Sequence, residues 1–463
     1  METVKKKRRS TFGKGVNMLE GKIAPSMLAF VVPVVLMSIL AAFYSTADMT
    51  VLGHFGSSNS VAAVGASGAV TSFLITLSTA FGVGTNVLLS RAFGSGDEDR
   101  IRKTVSTSAI FSVAMGILIA VLCEAFAYPF LDATSCPSEI RDSAATYMRF
   151  YASIMPAMFF SNFMANVLRL NGETVRPFLY GVCGGVTNVL LNLLFVIGFG
   201  WDLVGVAVAT VIGSYTQAII LCRKLTRLEG ASRLDLRALT FDFLVFKKIF
   251  RLGSPNALSC VASSITSIYI QIIVNQNGAA AVAGNTAAGN LENYMFAVFG
   301  GFGVAITAFM GQNIGAGNRK RVKRAFFVGW LYSAIFAGIL MLIAYTVGES
   351  ALSSLYLPND PEAVAFGIHR VRAILGLSVL CASTYAISHA LQSFGFTLYQ
   401  SIVDMVFVCG ARILWLTFLY RAYPLPNILY LSFPVSWVIV ILASGTYLLV
   451  AFTKYMKGKN YDV

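Results

Sequence analysis

Apolar stretches of about twenty residues recur along the whole chain, and this recurrence constrains the fold more than any other feature. Each stretch is long enough to cross a bilayer core, which an α-helix spans in about 20 residues. Inside lipid the backbone must satisfy its own hydrogen bonds, so stretches of this length are helices. They lack the alternation of apolar and polar residues that is typical of barrel strands. The sequence therefore predicts an all-α polytopic membrane protein.

Twelve such stretches are present, and we call them predicted spans 1–12. With 56% hydrophobic and 12% charged residues, the chain is too apolar for a water-soluble fold of 463 residues. The spans are predicted at residues 26–53, 62–90, 105–131, 147–170, 177–200, 203–223, 252–276, 281–312, 325–348, 368–393, 400–421 and 427–452.

Basic residues are concentrated on one predicted side of the membrane. Of the 35 Lys and Arg residues, all but six lie in the two ends of the chain or in the loops after spans 2, 4, 6 and 8. Cytoplasmic loops carry such an excess, so the pattern predicts cytoplasmic termini and a multi-pass protein of the cell membrane. It also explains the net charge of +14 without nucleic acid as a partner. The six exceptions are Arg141, Arg149, Arg370, Arg372, Arg412 and Arg421.

The second half of the chain repeats the first at a shift of about 221 residues. The segment FGVGTNVLLSRAFGSGDEDR from Phe81 resembles FGVAITAFMGQNIGAGNRKR from Phe302. Matching positions include the pairs Gly96 and Gly317, Arg100 and Arg321, and, one residue off this register, Pro33 and Pro255.

The repeat predicts two lobes of six helices each. Because six is even, both halves insert in the same orientation and are expected to be related by a pseudo-two-fold axis along the membrane normal. The predicted division is a basic cytoplasmic tail at 1–22, an N-lobe at 23–223, a cytoplasmic linker at 224–251, a C-lobe at 252–453 and a C-terminal tail at 454–463.

Several segments resemble one transporter family. LEGKIAPSMLAFVVPVVL, STADMTVLGHFG and TNVLLSRAFGSGD in the first half, with GSPNALS, AVAGNTAAGNLE and GQNIGAGNRKRV in the second, are similar to the multidrug and toxic compound extrusion (MATE) family. The resemblance implies alternating-access export of organic, often cationic, compounds in exchange for H⁺ or Na⁺. It implies small organic molecules, the coupling ion and the bilayer as partners. We expect a monomer without a cofactor.

Asp48 is the acid of predicted span 1, about 9 Å from its outer end at 1.5 Å per residue. Placing a charged side chain at the centre of a membrane helix costs about 3 kcal/mol of free energy, so an intramembrane acid usually has a structural or functional role. Burial favours the protonated form of a carboxylate, which suits ion coupling, and the family resemblance places an essential acid at this point. Fifteen residues earlier, Pro33 removes a backbone hydrogen bond and permits a kink.

Polar residues of the other N-lobe spans supply further oxygen ligands of the kind that hard cations prefer. Asn188 and Asn192 lie one turn apart in span 5, and Thr210 lies in span 6. Tyr147 and Asn162 of span 4 are expected to support this group by hydrogen bonds. Many family members have Asp at the position of Asn192, so the site here has one carboxylate and suits H⁺ better than Na⁺. The alternative is that these amides only join helices.

The C-lobe carries a different set of polar residues. Glu292 of span 8 either attracts cationic drugs or pairs with Arg412 of span 11, and Gln271 lies near the repeat counterpart of Asp48. Asp404 is interpreted as a solvated or paired capping residue. The stretch NALSCVASS after Pro255 contains no acid, so the chain resembles the DinF-like branch, whose coupling is assigned to the N-lobe.

Two other functional classes are considered. A flippase for lipids or lipid-linked oligosaccharides needs a cluster of membrane-embedded basic residues to hold phosphate, whereas Arg412 is the one basic residue predicted deep in a span. The sequence contains no HExxH motif, Walker loop or nucleophile motif, and its three histidines lack metal-ligand spacing, so we predict neither an enzyme nor a metal site.

Overall fold

The computed structural model describes residues 15–133, 136–356, 360–459 and 461, and all regular secondary structure in these ranges is helical. Many apolar side chains point outward, as on α-helices that face lipid; examples are Phe43, Leu118 and Phe418. The helices are α1 (Ile23–Phe55), α2 (Ser58–Ser95), α3 (Glu98–Ala133), α4 (Ser138–Ser153), α5 (Met155–Leu170), α6 (Val175–Gly198), α7 (Asp202–Thr226), α8 (Phe243–Gln276), α9 (Ala279–Gly315), α10 (Arg319–Thr346), α11 (Gly348–Ala351), α12 (Pro361–Ile374), α13 (Ser378–Ser393), α14 (Thr397–Tyr420) and α15 (Pro426–Met456).

The prediction of an all-α polytopic membrane protein is confirmed. Within the described ranges, ten helices are long and apolar enough to cross a bilayer: α1–α3, α6–α10, α14 and α15. Predicted span 10 is a pair, α12 and α13, bent by 46°. Predicted span 4 is also two helices, because α4 ends at Ser153 and α5 begins beside Pro156, whose nitrogen cannot donate to the preceding turn.

The internal repeat is visible in the backbone conformation as well as in the amino-acid sequence. Gly96 and Gly317 lie just after the ends of α2 and α9 with φ of +70° and +71°, a conformation that favours glycine. Six-residue π-helical turns occur at Leu193–Gly198 of α6 and Trp415–Tyr420 of α14. These turns occupy the same position in the two halves of the chain.

The chain forms two compact units whose boundaries differ from the predicted lobes. The first unit comprises residues up to Asn17 and Val32–Gly253, and the second comprises Met18–Val31 and Ser254–Val463. The start of α1 therefore belongs to the second unit, and the start of α8 to the first. In both helices the change of unit lies one or two residues before the internal proline, Pro33 or Pro255.

Arg321 attaches the segment before α1 to the second unit. Its guanidinium donates to the backbone carbonyls of Met18, Glu20 and Gly21 at 3.3, 2.8 and 2.8 Å. Asn313 adds a bond to the Met18 carbonyl at 3.0 Å. These bonds explain why a segment predicted to be a tail and the start of the N-lobe packs elsewhere.

The predicted linker is folded onto the first unit rather than lying free. The backbone N–H groups of Thr240 and Asp242 donate to Ser106 and Thr107 of α3 at 2.7 and 3.0 Å. Helix α8 then begins at Phe243, nine residues before the predicted start of span 7, and the Phe246 ring packs 5.2 Å from that of Phe111. Aromatic packing of this kind stabilises the segment that was predicted as a cytoplasmic linker.

Candidate functional site

Four predicted residues meet around the Asp48 carboxylate inside the first unit. Asn192 of α6 donates its amide N–H to Asp48 Oδ1, and Thr210 of α7 lies 3.4 Å from Oδ2. Asn188 lies one turn from Asn192 and 3.1 Å from the Thr210 hydroxyl. Asn188 and Asn192 are 5% and 0% exposed. Within the described residues no Lys, Arg or His forms an ion pair with Asp48, and the side chains that bond to its carboxylate are neutral.

The amide of Asn188 is best assigned with its nitrogen towards Asp48. In that orientation Nδ2 donates to Asp48 Oδ1 at 3.1 Å, while the amide oxygen accepts from Thr210 N and Oγ1 at 3.3 and 3.1 Å. The oxygen of Asn192 is buried and has no hydrogen-bond partner in the described part of the chain. A buried acceptor without a partner costs about 1–3 kcal/mol, and a bound cation would supply that partner.

Close helix packing brings these side chains together. Helices α6 and α7 approach through Gly184 and Gly213, where a β-carbon on Gly213 would lie 2.7 Å from the Gly184 carbonyl oxygen. Tyr44 of α1 packs on Gly185 and donates to the Val182 carbonyl at 3.3 Å. Directly after Asn192, α6 changes to a π-helical turn, a feature that often accompanies functional sites.

The three other residues predicted for the N-lobe site have different surroundings. Tyr147 is buried in an apolar cluster with Leu52 and Val206, which are neighbours of the Asp48 group along α1 and α7. Asn162 is bonded elsewhere, because its amide donates to Ser78 Oγ of α2 at 2.8 Å. Pro33 is buried inside α1, which continues through it.

In the second unit, Glu292 of α9 is paired with Arg370 of α12. The guanidinium donates to both carboxylate oxygens at 2.6 and 2.7 Å, and the two side chains are 3% and 15% exposed. Arg370 also donates to Asn285 Oδ1 at 2.5 Å, and Asn285 donates to Gln271 Oε1 at 3.2 Å. Glu292 and Gln271 therefore belong to one network of hydrogen bonds, which runs through Arg370 and Asn285.

Arg412 is not the partner of Glu292. Its Nε donates to Ser436 Oγ at 2.9 Å, and its guanidinium lies 4.1 Å from the centre of the Phe433 ring. The pairing considered from the sequence is wrong, because the partner of Glu292 is Arg370, one of the six basic residues outside the predicted cytoplasmic regions. Asp404 does not cap the end of α14, since it lies seven residues after the first residue of that helix, at the start of a π-helical stretch.

Comparison with known proteins identifies the family. The sequence profile described as MatE matches residues 33–194 and 255–416. The chain belongs to the MatE family. The two matched ranges begin at Pro33 and Pro255, so the family profile recovers the same internal repeat.

Relatives of this MatE protein are bacterial proteins named for multidrug resistance. The probable multidrug resistance protein YoeA of Bacillus subtilis (strain 168) is 25% identical over 325 residues, which cover 68% of this chain and 70% of YoeA. The probable multidrug resistance protein NorM of Thermotoga maritima is 24% identical over 323 residues, covering 69% of each chain.

Solved structures share the fold of this MatE protein over nearly its whole length. A crystal structure of MATE in complex with MaL6 has a TM-score of 0.88 at 19% identity, and the match covers 96% of this chain and 100% of the other. An outward-facing multidrug resistance MATE transporter of the MOP superfamily has a TM-score of 0.87 at 19% identity, with 96% and 99% covered.

Sequence reasoning missed several polar partners in the second unit of this MatE protein. Arg370, Asn285 and Tyr430 complete the Glu292 network, with the Tyr430 hydroxyl 2.8 Å from Asn285 Oδ1. Gln400 and Ser444 form a chain of hydrogen bonds to Asp404. A search for intramembrane amides in spans 8 and 11 would have found Asn285 and Gln400, but hydropathy does not show which side chains face each other.

Proposed function

We propose that this MatE protein is a secondary active exporter of organic, often cationic, compounds that exchanges them for H⁺ by alternating access. Family membership and the multidrug resistance names of YoeA and NorM support export as the activity. The observation that carries the coupling step is the Asp48 carboxylate, held inside a membrane helix by neutral donors alone. An acid in that setting is free to change between charged and neutral forms during transport.

The coupling ion follows from the number of carboxylates. Na⁺ must surrender its hydration shell to enter a site, and a single carboxylate with two amides offers it a weaker field than two carboxylates do. A proton needs only one carboxyl group whose neutral form is favoured by burial. Asn192 in place of a second acid therefore supports H⁺, with Na⁺ as the competing ion.

Asp48→Asn in reconstituted liposomes tests the assignment. Liposomes loaded with ethidium are placed under an inward pH gradient, and dye efflux is followed with the natural chain, with Asp48→Asn and with Asp99→Asn. Asp99 is a matched control because its side chain is 71% exposed on α3. Asp48→Asn should insert normally yet lose about tenfold or more of the gradient-driven rate, since the amide cannot carry the proton. Natural rates in this variant would refute the role of Asp48.

Flipping of lipids or lipid-linked oligosaccharides is the alternative function. Phosphate-bearing substrates call for clustered basic residues, but Arg370 is committed to Glu292 and Arg412 lies beside Ser436 and Phe433. The absence of a shared basic cluster among these residues favours export. Translocation of a fluorescent phospholipid in the same liposomes, without ethidium efflux, would favour the flippase instead.

A further inference from the structure

A small cavity lies where the C-terminal end of α15 meets the turn between α13 and α14. Its volume is about 110 Å³. Lysines together with aromatic and aliphatic side chains line it, among them Lys454, Lys459, Phe396, Tyr447, Val450 and Tyr461. Within the described residues neither lysine forms an ion pair with an acidic side chain. The cavity therefore presents positive charge beside apolar groups.

The chain after α15 folds back towards this cavity. Gly458 turns the backbone with a φ of +111°, and its carbonyl accepts a hydrogen bond from Arg319 Nη2 at 3.2 Å. Tyr461 packs on Phe396 with ring centres 5.0 Å apart, and the Lys459 ammonium lies 5.7 Å from the centre of the Tyr461 ring. These contacts hold both sides of the short segment that carries Lys459.

The corresponding turn of the first unit carries an acid. Gly172 and Glu173 precede α6, as Gly395 and Phe396 precede α14, and both glycines have a positive φ. Glu173 pairs with Lys224 in the last turn of α7, with Oε2 and Nζ 3.6 Å apart. In the first half of the chain, a lysine at the end of the last helix thus faces a carboxylate that the protein itself supplies.

At the same turn of the second unit the acid is replaced by a phenyl ring. Lys454 occupies the last turn of α15, as Lys224 does in α7. Phe396 stands in the position of Glu173 and lines the cavity beside Lys454. An anion from outside the protein would take the place of the missing carboxylate.

Tyrosine rings mark the membrane boundary at this end of α15. Tyr399 and Tyr447 stack with ring centres 4.0 Å apart, and Phe396 packs edge-on against Tyr447 at 5.1 Å. Tyrosine is enriched at the headgroup level of bilayers, and the basic end of α15 is its predicted cytoplasmic end. Towards the middle of the helix, the apolar side chains of Leu442 and Leu449 are exposed, as on a face that contacts lipid.

We infer that this cavity binds the headgroup of an anionic phospholipid, with Lys454 and Lys459 facing its phosphate and the acyl chains lying along α15. Basic residues near a membrane surface each add to the attraction for anionic lipid. A free anion would use the lysines but not the exposed apolar face of α15, whereas a lipid uses both. This inference goes beyond the proposed export function and does not depend on it.

Native mass spectrometry of the full chain in detergent tests the site. Phosphatidylglycerol and phosphatidylcholine with identical acyl chains are titrated separately, and the dissociation constant of the first bound lipid is measured for each. The natural chain should bind phosphatidylglycerol about tenfold more tightly, because the choline group cancels the phosphate charge that the lysines attract. Equal dissociation constants would overturn the inference.

Removing the two lysines assigns the preference to this cavity. Lys454→Gln combined with Lys459→Gln should reduce the preference for phosphatidylglycerol to about twofold or less. Lys247→Gln combined with Lys248→Gln is the matched control, because it removes the same charge from an exposed part of α8 on the same predicted side of the membrane. The control should keep the preference. A preference that persists without Lys454 and Lys459, or that falls equally in the control, would contradict the site.

Phe396→Glu tests the comparison with the first unit. The new carboxylate should pair with Lys454, as Glu173 does with Lys224, and weaken phosphatidylglycerol binding by about tenfold without changing phosphatidylcholine binding. Phe396→Gln is the control for the lost ring, because its side chain has a similar size to glutamate and no charge. Equal affinities of these two variants for phosphatidylglycerol would contradict the role of charge. If Phe396→Glu does not fold, the lysine variants decide the question.

Inorganic phosphate distinguishes a lipid site from a site for free anions. In thermal-shift titrations, phosphatidylglycerol should raise the melting temperature of the natural chain more than that of the variant without Lys454 and Lys459. Inorganic phosphate at millimolar concentration should raise neither. A rise with inorganic phosphate equal to that with the lipid would show a free-anion site and overturn the assignment to phospholipid.

Discussion

Asn192 sets the charge of the Asp48 site. Its nitrogen donates to the carboxylate, and its buried oxygen has no partner among the described residues. The amide thus stabilises Asp48 without adding a charge, and a bound cation would give its oxygen a partner. A single atom at this position, nitrogen or oxygen, decides whether the site holds one carboxylate or two.

Asn192→Asp should shift the protein towards Na⁺. Two carboxylates give a stronger field for a hard cation, so the variant should gain efflux under a Na⁺ gradient without a pH gradient. The natural chain should show little efflux in that condition. Robust Na⁺-driven efflux by the natural chain, insensitive to a protonophore, would show that the coupling ion is Na⁺.

The Glu292–Arg370 pair is expected to contribute to the stability of the protein. Removing one partner of a buried pair leaves the other charge uncompensated, so Glu292→Gln should destabilise the protein by about 3–5 kcal/mol. Adding Arg370→Gln should recover part of that loss. Thermal unfolding in detergent provides the double-mutant comparison, with Arg372→Gln as control, because its pair with Glu349 is solvent-exposed and is worth less than about 1 kcal/mol. Strictly additive losses would contradict the pairing.

Helices α6 and α7 are close enough to share a site because glycine faces the contact on both sides. A β-carbon added to Gly213 would lie 2.9 Å from the β-carbon of Asn188 as well as against the Gly184 carbonyl. Contacts this close force one helix to move. The spacing of α6 and α7 therefore controls whether Asn188 reaches Thr210.

Gly213→Ala should separate α6 from α7, cost about 1–3 kcal/mol and reduce coupled efflux. Gly65→Ala is the matched control, since a β-carbon at this helical position meets nothing within 4 Å. That control should be neutral or more stable by up to about 1 kcal/mol, because alanine favours helix. Melting temperatures and efflux rates of the two variants test this. Equal melting temperatures and efflux rates in the two variants would mean that the α6–α7 contact accommodates a β-carbon at residue 213.

The distribution of basic residues concerns the whole molecule, because it predicts the orientation of every span at once. Cys136 lies before α4 in a predicted outer loop, and Cys222 lies near the end of α7 on the predicted cytoplasmic side. Both thiols are partly exposed in the structure. They therefore serve as natural markers of the two sides.

A membrane-impermeant maleimide applied to intact cells should label Cys136 and spare Cys222, because only the outer loop is accessible to it. Labelling should disappear in Cys136→Ser, and permeabilised cells should show labelling of Cys222. The opposite pattern in intact cells would invert the predicted topology.

Hydropathy and charge determined the class of protein and the approximate positions of the spans, because these are local properties of each window of about twenty residues and a segment inside lipid has to be helical. The internal repeat was found from matching segments about 221 residues apart. Asp48, Asn188, Asn192 and Thr210 were also found from the sequence, because intramembrane polar residues are few. In the structure these four residues are brought together.

Only the tertiary structure decided which charges pair and which remain separate. Glu292 and Arg370 are 78 residues apart, and whether they meet depends on the rotation of α9 and α12, which packing sets. The same holds for the segment before α1, where Arg321 binds carbonyls about 300 residues earlier in the chain. Spacing along one helix predicts neighbours three or four residues apart, but it carries no information about the facing helix. For that reason the sequence located the polar residues of the C-lobe without showing that Arg412 and Asp404 have no ion-pair partner in the described chain.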